Sequence, residues 1–226
     1  IILHYTAMKN YDEALSRLCE KKNKISSHFL VNKYGDIFYL VDVIKRAWHA
    51  GKSNWRNVLD INSESIGIEI DNSGHLYDFE NYTPRQIKSL IKLLKYISKL
   101  YNIKKHNILG HSDISPYRKI DPGEKFPWKK LQRNNLSFLP NNLSKSKTIQ
   151  INKYLNNKLL KKNKKLRSLY MLEKIGYNVQ PAIKNQKKYA MLIKAYQMHY
   201  RQSFVSGKLD KKTYKLIQSH FKELLT

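Results

Sequence analysis

The sequence predicts an α/β fold, with a mixed central β-sheet flanked by helices, followed by a small all-α domain of three helices. Three observations lead to this prediction. Strand-like apolar runs alternate with helical patterns over residues 1–131. Residues 132–150 are rich in Asn and Ser, which is typical of a linker. Residues 151–226 then carry only helical periodicity, so we divide the chain at these two boundaries.

The predicted strands are short and bounded by turn residues. The second and third are joined by a turn that ends in Gly35. In the fourth strand, isoleucines alternate with Gly67 and Glu69. This alternation indicates that one face of the strand is apolar and that the other carries Gly67 and Glu69. In chain order the predicted strands cover residues 1–4, 29–31, 36–41 and 65–70, with a last short apolar segment at 107–110.

Two helices are predicted in the first domain and three in the tail. The strongest, at residues 83–101, begins with Thr83 as its cap and Pro84 in its first turn, and apolar residues then recur every three or four positions. A weaker helical pattern covers residues 12–22. In the tail, helical patterns cover residues 166–175, 189–200 and 211–225.

The chain is strongly basic, with 43 Lys and Arg residues against 17 Asp and Glu residues and a net charge of +26. Residues 141–226 hold 20 of the basic residues and 3 of the acidic ones. Such a charge favours nucleic acid, an anionic membrane or another anionic polymer as a partner. The excess of Lys over Arg is equally typical of an A/T-rich genome, and it argues mildly against dedicated phosphate recognition.

Other features exclude whole classes of protein. One cysteine, Cys19, excludes an internal disulfide framework and a zinc ribbon built on cysteine pairs. No run of about 18 apolar residues is present, so we predict no transmembrane segment. The chain starts at Ile1 rather than Met. We therefore expect a mature or trimmed product, in which any targeting segment that preceded Ile1 has been removed. The oligomeric state is left open.

Three features of the first domain carry residues suited to chemistry. His4 lies at the end of a predicted strand, where it is either a ligand or a structural histidine. The segment 110–128 holds His111, Lys119 and Asp121, which form either a metal site with a cationic neighbour or a solvated, salt-bridged loop. Glu69 lies in an apolar strand, facing either water or the floor of a cleft that would raise its pKa.

Five motifs of the first domain occur in the order found in a known family. They are LHYTA at 3–7, SSHFLV at 26–31, WHAG at 48–51, SIGIEI at 65–70, and GHSDISPYRKIDPG at 110–123 followed by FPW. On these motifs the chain resembles the zinc-dependent N-acetylmuramoyl-L-alanine amidases of the AmpD and AmiD type. The resemblance implies hydrolysis of the amide between N-acetylmuramic acid, in its ordinary or 1,6-anhydro form, and L-alanine.

The resemblance also implies a role for each matching residue. His4, His111 and Asp121 would bind one Zn²⁺, with a fourth position left for water. Glu69 would act as general base and Lys119 would stabilise the oxyanion. The aspartate departs from the phage and animal branch of this fold, which has a cysteine as third ligand. The family pattern also places three residues around the substrate cleft, as substrate-binding or structural groups: His28, Trp48 and His49.

The tail resembles, more loosely, the three-helix peptidoglycan-binding domain that is often fused to such amidases. The resemblance rests on Gly176-Tyr177, on the Tyr196-Gln197 pair and on the GKLDKKT segment at 207–213. It favours peptidoglycan or muropeptides as partners and the cell envelope or periplasm as location, although a cytoplasmic recycling role stays open. Two other function classes remain: a basic nucleic-acid-binding protein, and a non-catalytic peptidoglycan-recognition protein of the same fold. We expect no specific nucleic acid as a partner.

Overall fold

The computed structural model describes residues 1–141 and 163–225. Its five strands form one sheet with the order β3-β2-β4-β1-β5. β3 pairs with β2 in antiparallel fashion, and the other neighbours pair in parallel. The mixed sheet predicted from the sequence is therefore confirmed. The strands are β1 (Ile2–Tyr5), β2 (Phe29–Val31), β3 (Ile37–Tyr39), β4 (Gly67–Ile70) and β5 (Leu109–Gly110).

Eight α-helices lie in the described residues, and the predicted helices are among them. The last three form the helical tail, and each begins at an Asn or Asp whose side chain accepts a hydrogen bond from the backbone N–H three residues on. The helices are α1 (Tyr11–Cys19), α2 (Ile61–Glu64), α3 (Pro84–Leu100), α4 (His111–Ile114), α5 (Trp128–Arg133), α6 (Lys164–Ile175), α7 (Gln186–Tyr200) and α8 (Lys211–Glu223).

One face of the sheet packs against α3. The Thr83 side chain accepts a hydrogen bond from the Gln86 backbone N–H, and Pro84 follows the cap, as the sequence predicts. Helical spacing places the buried Leu90 and Leu94 on one side of α3, in the same apolar cluster as Leu3, Ile68 and Ile70 of the sheet. The side chains that alternate with these three therefore project from the opposite face.

The helical tail packs against that opposite face. Ile2 of β1 and Leu109 of β5 belong to one apolar cluster with residues of all three tail helices. Ile114 of α4 and Ala50 lie in the same cluster, so the tail shares a core with segments that carry two of the motifs named above, WHAG at 48–51 and GHSDISPYRKIDPG at 110–123. Further members include Leu172, Ile193, Tyr196 and Ile217, each fully buried.

The predicted linker lies partly inside the described residues. Its first part contains the end of α5 and the buried residues Leu136 and Phe138, which are 4% and 8% exposed. Residues 142–150 of the linker and residues 151–162 of the predicted tail domain lie outside the described residues. The domain boundaries thus stay a prediction. Within the described ranges, no helix is both long and apolar enough to cross a membrane.

Candidate metal centre and active-site cleft

The site begins at the carboxyl ends of two neighbouring parallel strands. In the register of β1 with β4, His4 pairs with Glu69. Since residues two apart share a face, His4 follows Ile2 onto the face opposite α3, and Glu69 follows Gly67 onto the same face. His49 packs so closely against Gly67 that a Cβ there would come within 2.3 Å of its ring. This glycine therefore leaves room for a histidine next to the two site residues.

A buried cluster of three side chains lies beside this strand end. His111 is the first residue of α4, directly after β5, and Asp121 lies in the loop that follows. Nδ1 of His4 lies 2.9 Å from Nδ1 of His111 and 3.1 Å from Oδ2 of Asp121, and the last two atoms are 3.0 Å apart. The three residues are at most 5% exposed. One ligand atom from each residue thus points at a common position.

The three atoms fit a metal ion. They form a nearly equilateral triangle, and nitrogen and oxygen ligands bind zinc at about 2.0–2.2 Å, so a single ion can reach all three. Two imidazoles and one carboxylate are also a typical donor set for a catalytic zinc, which keeps a further position for water or substrate. The residues present therefore form a possible metal site.

Each histidine of the cluster is oriented through its other ring nitrogen. Nε2–H of His111 donates to the carbonyl oxygen of Ala50 at 3.0 Å, which leaves Nδ1 unprotonated in the neutral ring. Nε2 of His4 forms a 3.1 Å hydrogen bond with Nδ1 of His49. The Arg118 guanidinium also donates to the Ala50 carbonyl, at 2.8 Å. Such partners fix ring orientation and tautomer in metal sites.

Burial and mutual contact shift the pKa values of these groups. Burial, followed by the nearby His111 ring, lowers the pKa of His4 to about 4. Burial alone would raise the pKa of Asp121, but the charges and hydrogen bonds of His111 and His4 lower it below its usual range. Near neutral pH the cluster therefore presents an unprotonated carboxylate and, at His4, an unprotonated imidazole, the forms that bind metal.

The cluster opens into a cleft of about 340 Å³ whose lining includes Glu69 and Lys119. Glu69 is half-buried, and its Oε2 atom is buried without a hydrogen-bond partner among the described residues. Burial, and next the Asp121 carboxylate, raise the pKa of Glu69 well above 4.5, while Lys119 lowers it. Of the two alternatives left by the sequence, the structure thus places Glu69 on a cleft rather than in bulk solvent.

The three residues suggested for substrate contact are placed differently. Trp48 lines the cleft and is 48% exposed. His49 also lines the cleft, where it is buried next to His4. His28 is buried outside the cleft lining, where Nδ1 accepts from the Gly67 backbone N–H and Nε2–H donates to the Lys45 carbonyl. Both of its ring nitrogens are occupied by backbone groups, so this placement disagrees with a substrate contact for His28.

The structure adds residues that the sequence did not single out. Arg17 of α1 and the exposed Leu76 also line the cleft, and Arg118 holds the carbonyl that orients His111. The helical pattern at 12–22 predicted α1, but nothing in it indicates that α1 borders a cleft. Asp113 of α4 accepts a hydrogen bond from the Gly110 backbone N–H at 2.8 Å.

Comparisons with known proteins agree with this geometry. The family model described as N-acetylmuramoyl-L-alanine amidase matches residues 1–124. The chain is 35% identical to the N-acetylmuramoyl-L-alanine amidase AmiD of Escherichia coli over 94% of this chain and 78% of that protein. It is 42% identical to the 1,6-anhydro-N-acetylmuramyl-L-alanine amidase AmpD of Haemophilus influenzae, over 47% of this chain and 56% of that protein.

Solved structures match the chain along almost its whole length. The complex of Escherichia coli AmiD with anhydro-N-acetylmuramic acid-L-Ala-D-γ-Glu-L-Lys superposes with a TM-score of 0.82 at 32% identity, covering 98% of this chain and 88% of that one. AmpDh3 of Pseudomonas aeruginosa, bound to an anhydromuramic pentapeptide, superposes with a TM-score of 0.83 at 30% identity, covering 99% and 91%. Among the function classes left open by the sequence, these matches select a peptidoglycan amidase, and the chain belongs to the N-acetylmuramoyl-L-alanine amidase family.

Proposed function

We propose that this amidase works with one zinc ion held by His4, His111 and Asp121. The observation that carries the proposal is the convergence of Nδ1, Nδ1 and Oδ2 of these buried residues within 3.1 Å of one another. When bound, zinc supplies a Lewis acid for the amide carbonyl and lowers the pKa of water toward about 7. An open ligand position toward the cleft distinguishes such a site from a closed structural one.

Glu69 serves as the general base and then as the general acid. It accepts a proton from the attacking water and delivers one to the departing L-alanine nitrogen, so that the C–N bond breaks and a neutral amine leaves. Its raised pKa supports this role, since a carboxylate with a higher pKa is a stronger proton acceptor. Its place opposite His4 in the sheet register puts the carboxylate next to the ligand cluster.

Lys119 stabilises the negative charge that develops on the carbonyl oxygen. It lines the cleft with Glu69 and His111, and its ammonium group acts on both Glu69 and His4 electrostatically. A positive charge held at the position where the oxyanion forms lowers the barrier more than it stabilises the neutral amide. Trp48 and His49 border the same cleft, where the exposed indole offers an apolar face to the sugar ring and His49 holds His4.

We infer that the substrate is a muropeptide, in the ordinary or the 1,6-anhydro form. Support comes from relatives of matching length, whose complexes contain anhydro-N-acetylmuramic acid joined to stem peptides. The tail is proposed as a peptidoglycan-binding-like domain, and its basic charge suits the carboxylates of stem peptides. A module that holds the polymer favours the cell envelope or periplasm as the site of action.

The test combines metal analysis with cleavage of a defined anhydromuropeptide. The purified protein should contain about one zinc per chain, lose hydrolysis when a chelator removes it, and regain hydrolysis on zinc addition. His4→Ala should lose both zinc and hydrolysis because one of three protein ligands is missing. A control change at the exposed Lys88 of α3, Lys88→Ala, should retain both. Full hydrolysis by metal-free protein would contradict the proposal.

A further inference from the structure

Asp113 connects the metal-site helix to the helical tail. It is fully buried, and its carboxylate accepts two hydrogen bonds from tail residues. The Tyr177 hydroxyl donates to Oδ1 at 2.5 Å, and Nδ1–H of His199 donates to Oδ2 at 2.7 Å. These partners are 64 and 86 residues away along the chain. The carboxylate is therefore an anchor between two distant parts of the sequence.

The anchor lies two residues from a metal ligand. His111 and Asp113 are both part of α4, a helix of four residues, so a rotation or shift of Asp113 also moves the His111 ring. The backbone N–H of Ser112 in the same helix donates to the carbonyl oxygen of Asp121 at 2.9 Å, which ties α4 to the third ligand. The position of α4 thus affects two of the three ligands.

The tail residues that hold Asp113 are themselves fixed by packing. The His199 ring stacks on Trp128 with a centroid separation of 3.6 Å, and Tyr177 packs edge-on against Trp55 at 5.0 Å. Both donors are at most 3% exposed, so water does not replace them when one is removed. Loss of the Tyr177 hydroxyl removes the donor to Oδ1, and loss of His199 leaves Oδ2 with the Gly110 backbone N–H as its remaining donor. Either loss weakens the anchor and favours displacement of α4.

We propose that the helical tail positions the metal site, with Tyr177 and His199 acting through Asp113 as positioning residues that hold His111 in its ligating orientation. The proposal rests on the zinc site proposed above, and it gives the tail a second role besides contact with the wall. It predicts that metal affinity depends on residues that touch neither the metal nor the substrate. Hydrogen-bond partners of metal ligands typically change metal affinity by about 10–100-fold, and we expect an effect near the lower end here.

The first test compares two tyrosine hydroxyls in the same core. Tyr177→Phe removes the donor to Asp113, and Tyr196→Phe removes a fully buried hydroxyl that has no hydrogen-bond partner among the described residues. The zinc dissociation constant of the full chain is measured by competition with a chelator, at a temperature where circular dichroism shows complete folding. We expect it to rise about 10-fold for Tyr177→Phe and to stay within about 2-fold for Tyr196→Phe.

The second test separates the hydrogen bond of His199 from its ring. His199→Asn retains a donor at the position of Nδ1, whereas His199→Leu retains none, and both lose the stack on Trp128. We expect the asparagine variant to bind zinc more tightly than the leucine variant, by about 5-fold or more. A tail that only stabilises the fold would lower the melting temperature in both variants and leave the two zinc affinities equal.

The outcomes separate the two proposals. Equal zinc affinities in wild type, Tyr177→Phe and His199→Leu, all folded and all with one zinc, overturn the positioning role and leave the zinc site intact. A wild-type chain that binds no zinc overturns the zinc site and this inference with it. Weaker zinc binding in Tyr177→Phe and His199→Leu, with Tyr196→Phe unchanged, supports the positioning role.

Discussion

Two carboxylates next to each other in the cleft have opposite pKa shifts. The pKa of Asp121 is lowered, because the two histidines outweigh the effect of burial, whereas burial raises the pKa of Glu69 well above its usual value. Environments that give two neighbouring carboxyl groups different pKa values in this way also give them different chemical roles. The group kept ionised suits a metal ligand, and the group with the raised pKa suits proton transfer.

The base assignment predicts a specific loss in Glu69→Gln. Glutamine has nearly the same shape but does not accept the proton of the attacking water, so we expect kcat for muropeptide hydrolysis to fall by about 10²–10⁴-fold. Zinc content should stay at the wild-type value, because Glu69 is outside the ligand triangle. Single-turnover hydrolysis and metal analysis on the same sample measure the two effects.

A matched control for Glu69→Gln is available shortly before β4, the strand that contains Glu69. Glu64 is an exposed glutamate at the end of α2, outside the cleft lining, and Glu64→Gln should retain wild-type hydrolysis. Full activity in Glu69→Gln would show that another group takes the proton. Loss of zinc together with activity would show instead that Glu69 holds the metal.

At the scale of elements, the patterns that predicted the fold are local. Alternating isoleucines predicted β4 and its two faces, and the Thr83 cap with Pro84 predicted the start of α3. The proposed ligand set follows from the order of the motifs alone, since no periodicity relates His4 to Asp121. The contacts of Asp113 with the tail carried no sequence signal, because hydrogen bonds between residues this far apart depend on packing and not on spacing.

The start of α8 provides a test of an element and of its pH dependence. Asp210 caps this helix by accepting from the Thr213 backbone N–H at 2.8 Å, and Arg201 at the end of α7 donates to the same carboxylate. The hydrogen bond from Arg201 is the main cause that lowers the pKa of Asp210 from 3.8 to about 2. A lowered pKa in the folded state adds stability above the unfolded value, and this stability disappears as pH falls from about 4 to about 2.

Two substitutions of Asp210 separate the cap from the ion pair. Asp210→Ala removes both the cap and the ion pair. It should lower the free energy of unfolding by about 1 kcal/mol, which corresponds to a melting temperature lower by about 2–4 °C. Asp210→Asn retains a capping acceptor and loses the charge, so its difference from wild type should be present at pH 6 and vanish near pH 2. Thermal unfolding followed by circular dichroism measures this. A difference between Asp210→Asn and wild type that is constant from pH 6 to pH 2 would contradict the ion-pair contribution.

For the whole molecule, the shared core predicts that the tail and the sheet unfold together. Leu172 of α6 is fully buried in the cluster that also contains Ile2 and Ile114. Leu172→Ala should therefore lower the free energy of unfolding by about 2–5 kcal/mol. All three tryptophans lie within residues 1–131, and two of them contact tail residues, Trp55 with Tyr177 and Trp128 with His199. Their fluorescence therefore reports on the sheet domain and on its contact with the tail. We expect Leu172→Ala to shift the fluorescence transition and the far-ultraviolet transition equally.

Leu94→Ala in the other cluster serves as the matched control, since Leu94 is also fully buried and packs α3 against the sheet. It should shift both transitions as well. Two separate transitions, of which Leu172→Ala shifts only one and Leu94→Ala only the other, would show that the tail unfolds independently and would weaken its proposed role in positioning α4.

The net charge of +26 leads to a prediction for the molecule as a whole. If the basic tail holds the enzyme on the wall through stem-peptide carboxylates, attraction between exposed charges must weaken with salt, because the screening length falls from about 10 Å at 0.1 M to about 3 Å at 1 M. Because Glu69→Gln is expected to lose hydrolysis, sedimentation of this variant with isolated sacculi at several salt concentrations should measure retention alone. We expect retention to fall steeply with salt, while hydrolysis of a small soluble anhydromuropeptide by wild type changes much less, since that reaction depends on contacts inside the cleft. Retention that is independent of salt would mean that shape-specific contacts, and not the charge, hold this amidase on its polymer.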